Sequence, residues 1–184
     1  MTLNRAAIRA SLLAFSDPAD GEALKSRDLV LKLLECSPSP FSRAQFTPGH
    51  ITASGLVLAP DGESVLLVHH RRLDRWLLPG GHVEPEDAAV ADSARREVIE
   101  ETGAVLAPEP SPRLLSVDVH GIPPKGSEPY HLHHDLTYSF RALSDHFQVS
   151  EESRAVLWCL PSEFDRYSLP ANVRRAYARF RSTE

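Results

Sequence analysis

Glu97, Glu100 and Glu101 stand at positions i, i+3 and i+4 of the run Arg96-Glu97-Val98-Ile99-Glu100-Glu101-Thr102-Gly103. On a helix, at roughly 100° per residue, the three fall within an arc of about 100°. Adjacent carboxylates repel, and a helix gains nothing from that arrangement alone. A hard divalent cation removes the penalty, because Mg²⁺ takes carboxylate oxygens, keeps several waters and bridges to substrate phosphates. Upstream, Gly80 and Gly81 permit backbone conformations and close approaches closed to other residues. A Gly-Gly turn ahead of a carboxylate-bearing helix can bring diphosphate oxygens and a metal together. Without the glycines the same charge run, balanced by Arg95 and Arg96, reads as a solvated helix face. Ala91, Ala94 and Val98 lie on the opposite side and can pack on a sheet.

Histidines form a second set. His131, His133, Asp135, Thr137 and Ser139 alternate with Leu132, His134, Leu136, Tyr138 and Phe140, the pattern of a half-buried strand with one polar face. His133 and His134 point to opposite faces, so His131, His133 and Asp135 are the ligand types that can converge. Substrate contacts, a plain polar face and a metal are the three readings of that face. His82 directly follows the glycine turn and is placed to touch the site. His69, His70, Arg71 and Arg72 end a strand where they meet either phosphate or water. Residues 121–131, with three prolines and Lys125, form either a cover for the substrate or a plain surface loop. Trp76 and Trp158 are expected in the core rather than against a base.

Several elements must position these residues. A helix is expected from about Asp87 to Thr102, with Gly103 as its C-cap. Strands are expected at 51–59 and 64–71, paired as a hairpin around Pro60-Asp61-Gly62. Residues 75–81 read as a short extended piece broken by Pro79 and the glycines. Further strands fall at 113–121, 133–143 and 154–160, and a helix at 171–180 follows Pro170. Ahead of them, residues 3–15 and 22–36 read as two short helices separated by Ser16-Asp17-Pro18, and 37–50 as a Pro/Ser-rich connector. The result is an α/β (α+β) chain, an α/β/α sandwich around a mixed sheet. Residues 1–47 form an N-terminal helical extension with its linker, and 48–184 form the main domain.

Composition bounds the function. The 184 residues are 42% hydrophobic and 24% charged, ordinary for a globular chain. A formal charge of −5 gives no bulk attraction to nucleic acid or an anionic membrane. No apolar run reaches the ~18 residues of a membrane helix, and Arg9 interrupts the short apolar N-terminal patch. Cys36 and Cys159 are the only cysteines. They are expected as buried, reduced thiols of a cytoplasmic protein, and they exclude a cysteine-based zinc site.

Residues 77–105 resemble the Nudix box, the signature of the Nudix hydrolase family. Gly81 is followed by five residues and then Asp87, and Arg96 to Gly103 match the second half without a gap. Asp87 stands where the family has Glu, and eight rather than seven residues separate it from Arg96. Ala104 is smaller than the usual final aliphatic. The extra residue is expected in the loop before the helix, since an insertion inside it would rotate the acidic face by about 100°. Either Asp87 or Glu86 then takes the first acidic role. The resemblance spans about residues 50–183 and leaves the helical N-terminus outside.

The resemblance implies an enzyme that cleaves a diphosphate linked to another moiety X, usually a nucleoside, using Mg²⁺ or Mn²⁺. Carried over by position, Glu97, Glu100 and Glu101 ligate the metal, Arg96 holds them by salt bridges, and the Gly81 region offers a backbone carbonyl. The expected general base is a carboxylate, Glu101 or else Glu151 or Glu152. Gly80, Gly81, His82, Arg71, His133 and Asp135 are the expected substrate contacts. The implied partner is a small nucleotide or diphosphate, with no nucleic acid or membrane. The family is often dimeric, so a homodimer is among the expected states. ADP-ribose, an oxidised nucleoside triphosphate and a dinucleoside polyphosphate all stay open as substrates. A Nudix-fold isomerase is disfavoured, because no cysteine lies between residues 37 and 158 to serve it. A nucleotide-binding sensor or regulator without turnover is the alternative class.

Overall fold

The computed structural model describes residues 3–17, 20–109 and 111–182. Two helices come first, α1 (Arg5–Ala14) and α2 (Gly21–Cys36). Asn4 and Asp20 cap them, each accepting hydrogen bonds from first-turn amides. The expected break between them includes Pro18, which lies outside the described residues. Seven strands and two helices follow: β1 (Gly49–Leu58), β2 (Val65–His70), β3 (Arg75–Leu77), β4 (Gly80–His82), α3 (Val90–Thr102), β5 (Leu114–Ile122), β6 (His131–Arg141), β7 (Ser153–Cys159) and α4 (Ala171–Arg181).

The sheet is mixed. β1 runs parallel to β6 over its whole length, and β5 pairs antiparallel to β6. The expected β1–β2 hairpin forms only at its root, with Leu58 opposite Val65. The Asp61 carboxylate closes the turn by accepting the Glu63 and Ser64 amides at 2.7 and 3.0 Å. Beyond that root β2 leaves β1 and pairs with β3 and β7. The freed edge of β1 takes β4 instead, with Thr52, Ala53 and Ser54 opposite His82, Gly81 and Gly80. A Cβ on Gly80 would lie 2.6 Å from the Ala53 carbonyl oxygen, so a side chain there would prise β4 off β1.

Period-2 alternation sorts the sheet into two faces. Ile51, Ala53 and Val57 of β1 join α3 (Val90, Ala94, Val98) and the N-terminal helices (Leu12, Val30, Leu33) in one apolar cluster. Leu56 and Leu58 join α4 (Val173, Ala176, Phe180) in the other. This is the α/β/α sandwich expected from the sequence. The N-terminal helices are built into the packing: α2 lies along β5, Arg175 of α4 binds Asp20, and Arg179 binds Asp17.

Three local expectations change. α3 starts at Val90 rather than Asp87, because the Asp87 carboxylate folds back onto the Glu84 amide at 2.9 Å and so leaves the helix start. Cys36 is exposed at the end of α2, whereas Cys159 is buried and its thiol is pushed up to about 11 by burial. Trp76 and Trp158 are half-buried at the margins of the two clusters rather than within them. Among the described residues no helix is long and apolar enough to cross a membrane.

Candidate active site

The polar ends of β1, β4 and β6 and the C-terminal half of α3 surround a cleft of about 980 Å³. Eleven of the residues singled out from the sequence line it: Arg71, Gly80, Gly81, His82, Arg96, Glu97, Glu100, Glu101, His133, Asp135 and Glu152. Glu151 does not. Residues 83–89 form the loop before α3, and α3 runs without interruption from Val90 through its carboxylates.

Arg96 is the centre of the acidic cluster. Its Nη1 donates to Glu97 at 2.9 Å and to Glu100 at 3.0 Å. Nε and Nη2 donate to the two oxygens of Asp87 at 3.2 and 3.1 Å, and Nη2 also reaches the His82 carbonyl at 2.8 Å. Asp87 is buried, whereas Glu86 is exposed. Of the two candidates for the first acidic position, it is Asp87 that holds the arginine. Arg95 turns away, donating to the Ala107 carbonyl and lying over the Phe140 ring.

Glu101 stands apart from the arginine. Only 6% exposed, it accepts the Gly80 amide at 3.0 Å. Burial pushes its carboxyl up to about 7, and the charges of Glu97 and Glu152 add to the rise. Burial also raises Glu97, against the pull of Arg96. Glu152 thus faces the box closely enough to oppose ionisation there. Gly81 lies against Glu97, and a Cβ at that position would meet its carboxylate at 2.7 Å. Buried, mutually repelling hard oxygens beside an open cleft are suited to a divalent cation.

Cations rim an otherwise acidic molecule. Arg43, Arg71, Arg72 and Lys125 all line the cleft. Arg71 donates to the Glu151 and Ser153 carbonyls at 3.0 and 3.1 Å, which fixes the segment carrying Glu152. The 121–131 loop is a hairpin tip: β5 and β6 pair as far as Ile122 and His131, and Lys125 and Glu128 exchange two backbone bonds of 2.9 Å. Arg72 meets Glu128 at 3.7 Å.

The polar face of β6 is completed by β1. Thr52 and Ser54 each donate to the Asp135 carboxylate at 3.0 Å, and burial raises that carboxyl. Asp135 is therefore held by hydroxyls, while His131 and His133 meet His50 of β1 and His82 of β4. The His50 ring lies 5.1, 5.1 and 4.9 Å from those of His82, His131 and His133. Burial and the neighbouring imidazoles hold His82 down to about 4 and His133 to about 2, so both are neutral at pH 7. The sequence reading missed His50, Thr52, Ser54 and Arg43. A signal existed for three of them: His50, Thr52 and Ser54 alternate with apolar residues just as His133, Asp135 and Thr137 do.

The fold and this cluster of carboxylates define a hydrolase of phosphorus anhydrides. The family model described as NUDIX domain matches residues 48–180, and the chain belongs to that family. It is 27% identical over 122 residues to a Bacillus subtilis (strain 168) protein named "Putative 8-oxo-dGTP diphosphatase", covering 65% of this chain and 73% of that protein. Among solved structures, the NUDIX domain of Shewanella oneidensis NrtR complexed with ADP ribose aligns with a TM-score of 0.54 at 19% identity, covering 83% of this chain and 97% of that one. A NUDIX-family hydrolase from Clostridium perfringens aligns with a TM-score of 0.50 at 21% identity, covering 73% and 98%.

Proposed function

We propose that this chain is a divalent-metal-dependent pyrophosphohydrolase that cleaves the diphosphate of a nucleoside diphosphate linked to a second moiety. The observation that carries the reading is the convergence of Glu97, Glu100 and Glu101 at the cleft, ordered by one arginine that Asp87 anchors. Those three carboxylates and the Gly81 carbonyl would hold Mg²⁺ or Mn²⁺, and their hard oxygen donors fit either ion. When bound, such an ion neutralises diphosphate charge and acidifies its water.

The chain's own residues do the rest. Gly80 lets β4 lie close against β1, and Gly81 lets the Glu97 carboxylate sit against the backbone at the cleft floor. Arg43, Arg71 and Lys125 supply positive charge where the molecule as a whole is acidic. Asp135, held by Thr52 and Ser54, offers a fixed acceptor to a sugar or base. Glu101 and Glu152 are the two carboxylates placed to accept a proton from water, and Glu101 is already poised near neutrality. The 8-oxo-dGTP named for one relative and the ADP ribose bound to another both carry a nucleoside phosphoanhydride, which supports that substrate class.

The test is a phosphate-release screen with Mg²⁺ or Mn²⁺ against nucleoside diphosphate derivatives and triphosphates, with a coupled phosphatase to reveal monophosphate products. Metal-dependent turnover of one class, lost in Glu101→Gln, is the expected result. Nucleotide binding without turnover would replace this reading with that of a sensor.

A further inference from the structure

Four imidazoles from three separate segments meet on the cleft wall beside the carboxylate cluster: His50 on β1, His82 on β4, and His131 and His133 on β6. Ring nitrogens of His50, His82 and His133 all lie within 4.8 Å of one another. Tetrahedral coordination at a Zn–N distance of about 2.0–2.1 Å needs nitrogens about 3.4 Å apart, so the widest pair needs to close by at most about 1.4 Å.

Carbonyl contacts fix the tautomers of His50 and His131. His50 Nδ1 lies 3.1 Å from the Gln45 carbonyl, which can only accept, so Nδ1 carries the proton. Its Nε2 is therefore a bare lone pair. That atom is buried and has no hydrogen-bond partner among the described residues, and His50 is 1% exposed. An imidazole fixed by a carbonyl on one nitrogen, with the other turned into a cluster, is the arrangement that orients metal-binding histidines. His131 repeats it, donating Nδ1–H to the Pro129 carbonyl at 2.8 Å. The buried, unpartnered Nε2 of His50 costs free energy unless something satisfies it.

We propose that His50, His82 and His133 form a second metal site, selective for an imidazole-preferring divalent transition ion of the Zn²⁺ type and separate from the carboxylate site. Imidazole nitrogens suit Zn²⁺, Cu²⁺, Ni²⁺ and Fe²⁺, whereas Mg²⁺ prefers oxygen, so the two sites sort metals by donor type. A small cavity of about 60 Å³ adjoins the cluster, lined also by Glu128, Arg43 and Arg72. The two guanidinium groups lower the affinity for any cation there, so retention has to come from the imidazole nitrogens. His82 and His133 also face the main cleft, so an open coordination position would look toward substrate. The bound ion would pin β1, β4 and β6 together through the same His82 whose carbonyl Arg96 holds. The proposal does not depend on the hydrolase reading.

The experiment uses the full chain, stripped with a chelator and returned to excess Mg²⁺. Zn²⁺ is then titrated, bound metal is measured after gel filtration, and melting is followed in parallel. One Zn²⁺ per chain retained against Mg²⁺, with a raised melting temperature, is expected. His50→Gln, His82→Gln and His133→Gln should each weaken retention by ~10²-fold or more, while Glu97→Gln and Glu101→Gln leave it intact. His82→Gln, at a half-exposed position, covers the case in which His50→Gln does not fold. No retention over Mg²⁺, or retention unchanged in the three histidine variants, would overturn the site. Loss in Glu97→Gln with the histidine variants unaffected would assign the Zn²⁺ to the carboxylates instead. Failure of the phosphate-release screen leaves these outcomes untouched, so the two readings fail separately.

Discussion

Arg96 grips Asp87 through two nitrogens, at 3.2 and 3.1 Å, from α3 back to the loop that precedes it. The same guanidinium spaces Glu97 and Glu100. Asp87 thus acts through Arg96 on carboxylates it does not touch. Asp87→Ala should lower stability by about 1.5–3 kcal/mol, the usual cost of losing hydrogen bonds to a charged group in a buried setting. Glu86→Ala, on the exposed neighbour, should change the melting temperature negligibly. Equal effects of the two in a thermal melt would refute the anchoring role.

Glu101→Gln keeps the shape and the Gly80 hydrogen bond but removes the charge. Turnover should fall at least ~10²-fold, because several kcal/mol of transition-state stabilisation go with it. Single-turnover kinetics at saturating metal measure this directly. A fall of less than tenfold would shift the proton-accepting role to Glu152.

The carboxyl of Glu101 sits at about 7 in the metal-free protein, above its ordinary value of 4.5. Folding therefore raises its proton affinity. The stability this contributes is complete below about pH 4.5 and is lost as pH rises through 7. A divalent ion must displace that proton. Mg²⁺ addition should release close to one proton per chain near pH 6 and almost none near pH 8.5, as read by a pH indicator in weak buffer. Release that does not depend on starting pH would contradict the assignment, and Glu101→Gln should abolish the effect.

Gly81→Ala would put a Cβ 2.7 Å from the Glu97 carboxylate. The carboxylate is the movable end of a side chain, so the fold should tolerate the change within ~1 kcal/mol. The position of Glu97 should not survive it. The Mg²⁺ concentration for half-maximal activation should rise roughly tenfold or more, the scale seen when a ligand's supporting shell is disturbed. Unchanged metal activation would show that Glu97 lies outside the metal site.

Asp20 ties the N-terminal helices to the remainder of the molecule. It accepts the Ala23 amide at the start of α2 and the Arg175 guanidinium at 2.7 Å, and it is 4% exposed. Asp20→Ala removes a helix cap and leaves Arg175 without this carboxylate. A loss of about 3 kcal/mol is expected from chemical denaturation. A loss below ~0.5 kcal/mol would mean that the helices add little to folding.

Local spacing carries the catalytic helix. The i, i+3, i+4 placement of Glu97, Glu100 and Glu101, the αL glycine Gly103 that ends α3, and the alternation along β6 all follow from backbone periods of 3.6 and 2. Those features are legible in the order of the residues alone, as is the sandwich they imply. Three outcomes are not, because each depends on segments distant in sequence. β2 leaves β1 after a single pair, and this lets β4 enter and bring Gly80 to Glu101. The direction of the Arg96 guanidinium, set by the 83–89 loop, selects Asp87 over Glu86. The parallel register of β1 on β6 sets His50 opposite His133 and Thr52 opposite Asp135, and so builds the histidine cluster and the hydroxyl cradle. Side-chain periodicity says which face a residue occupies; only strand order and register say what stands across from it.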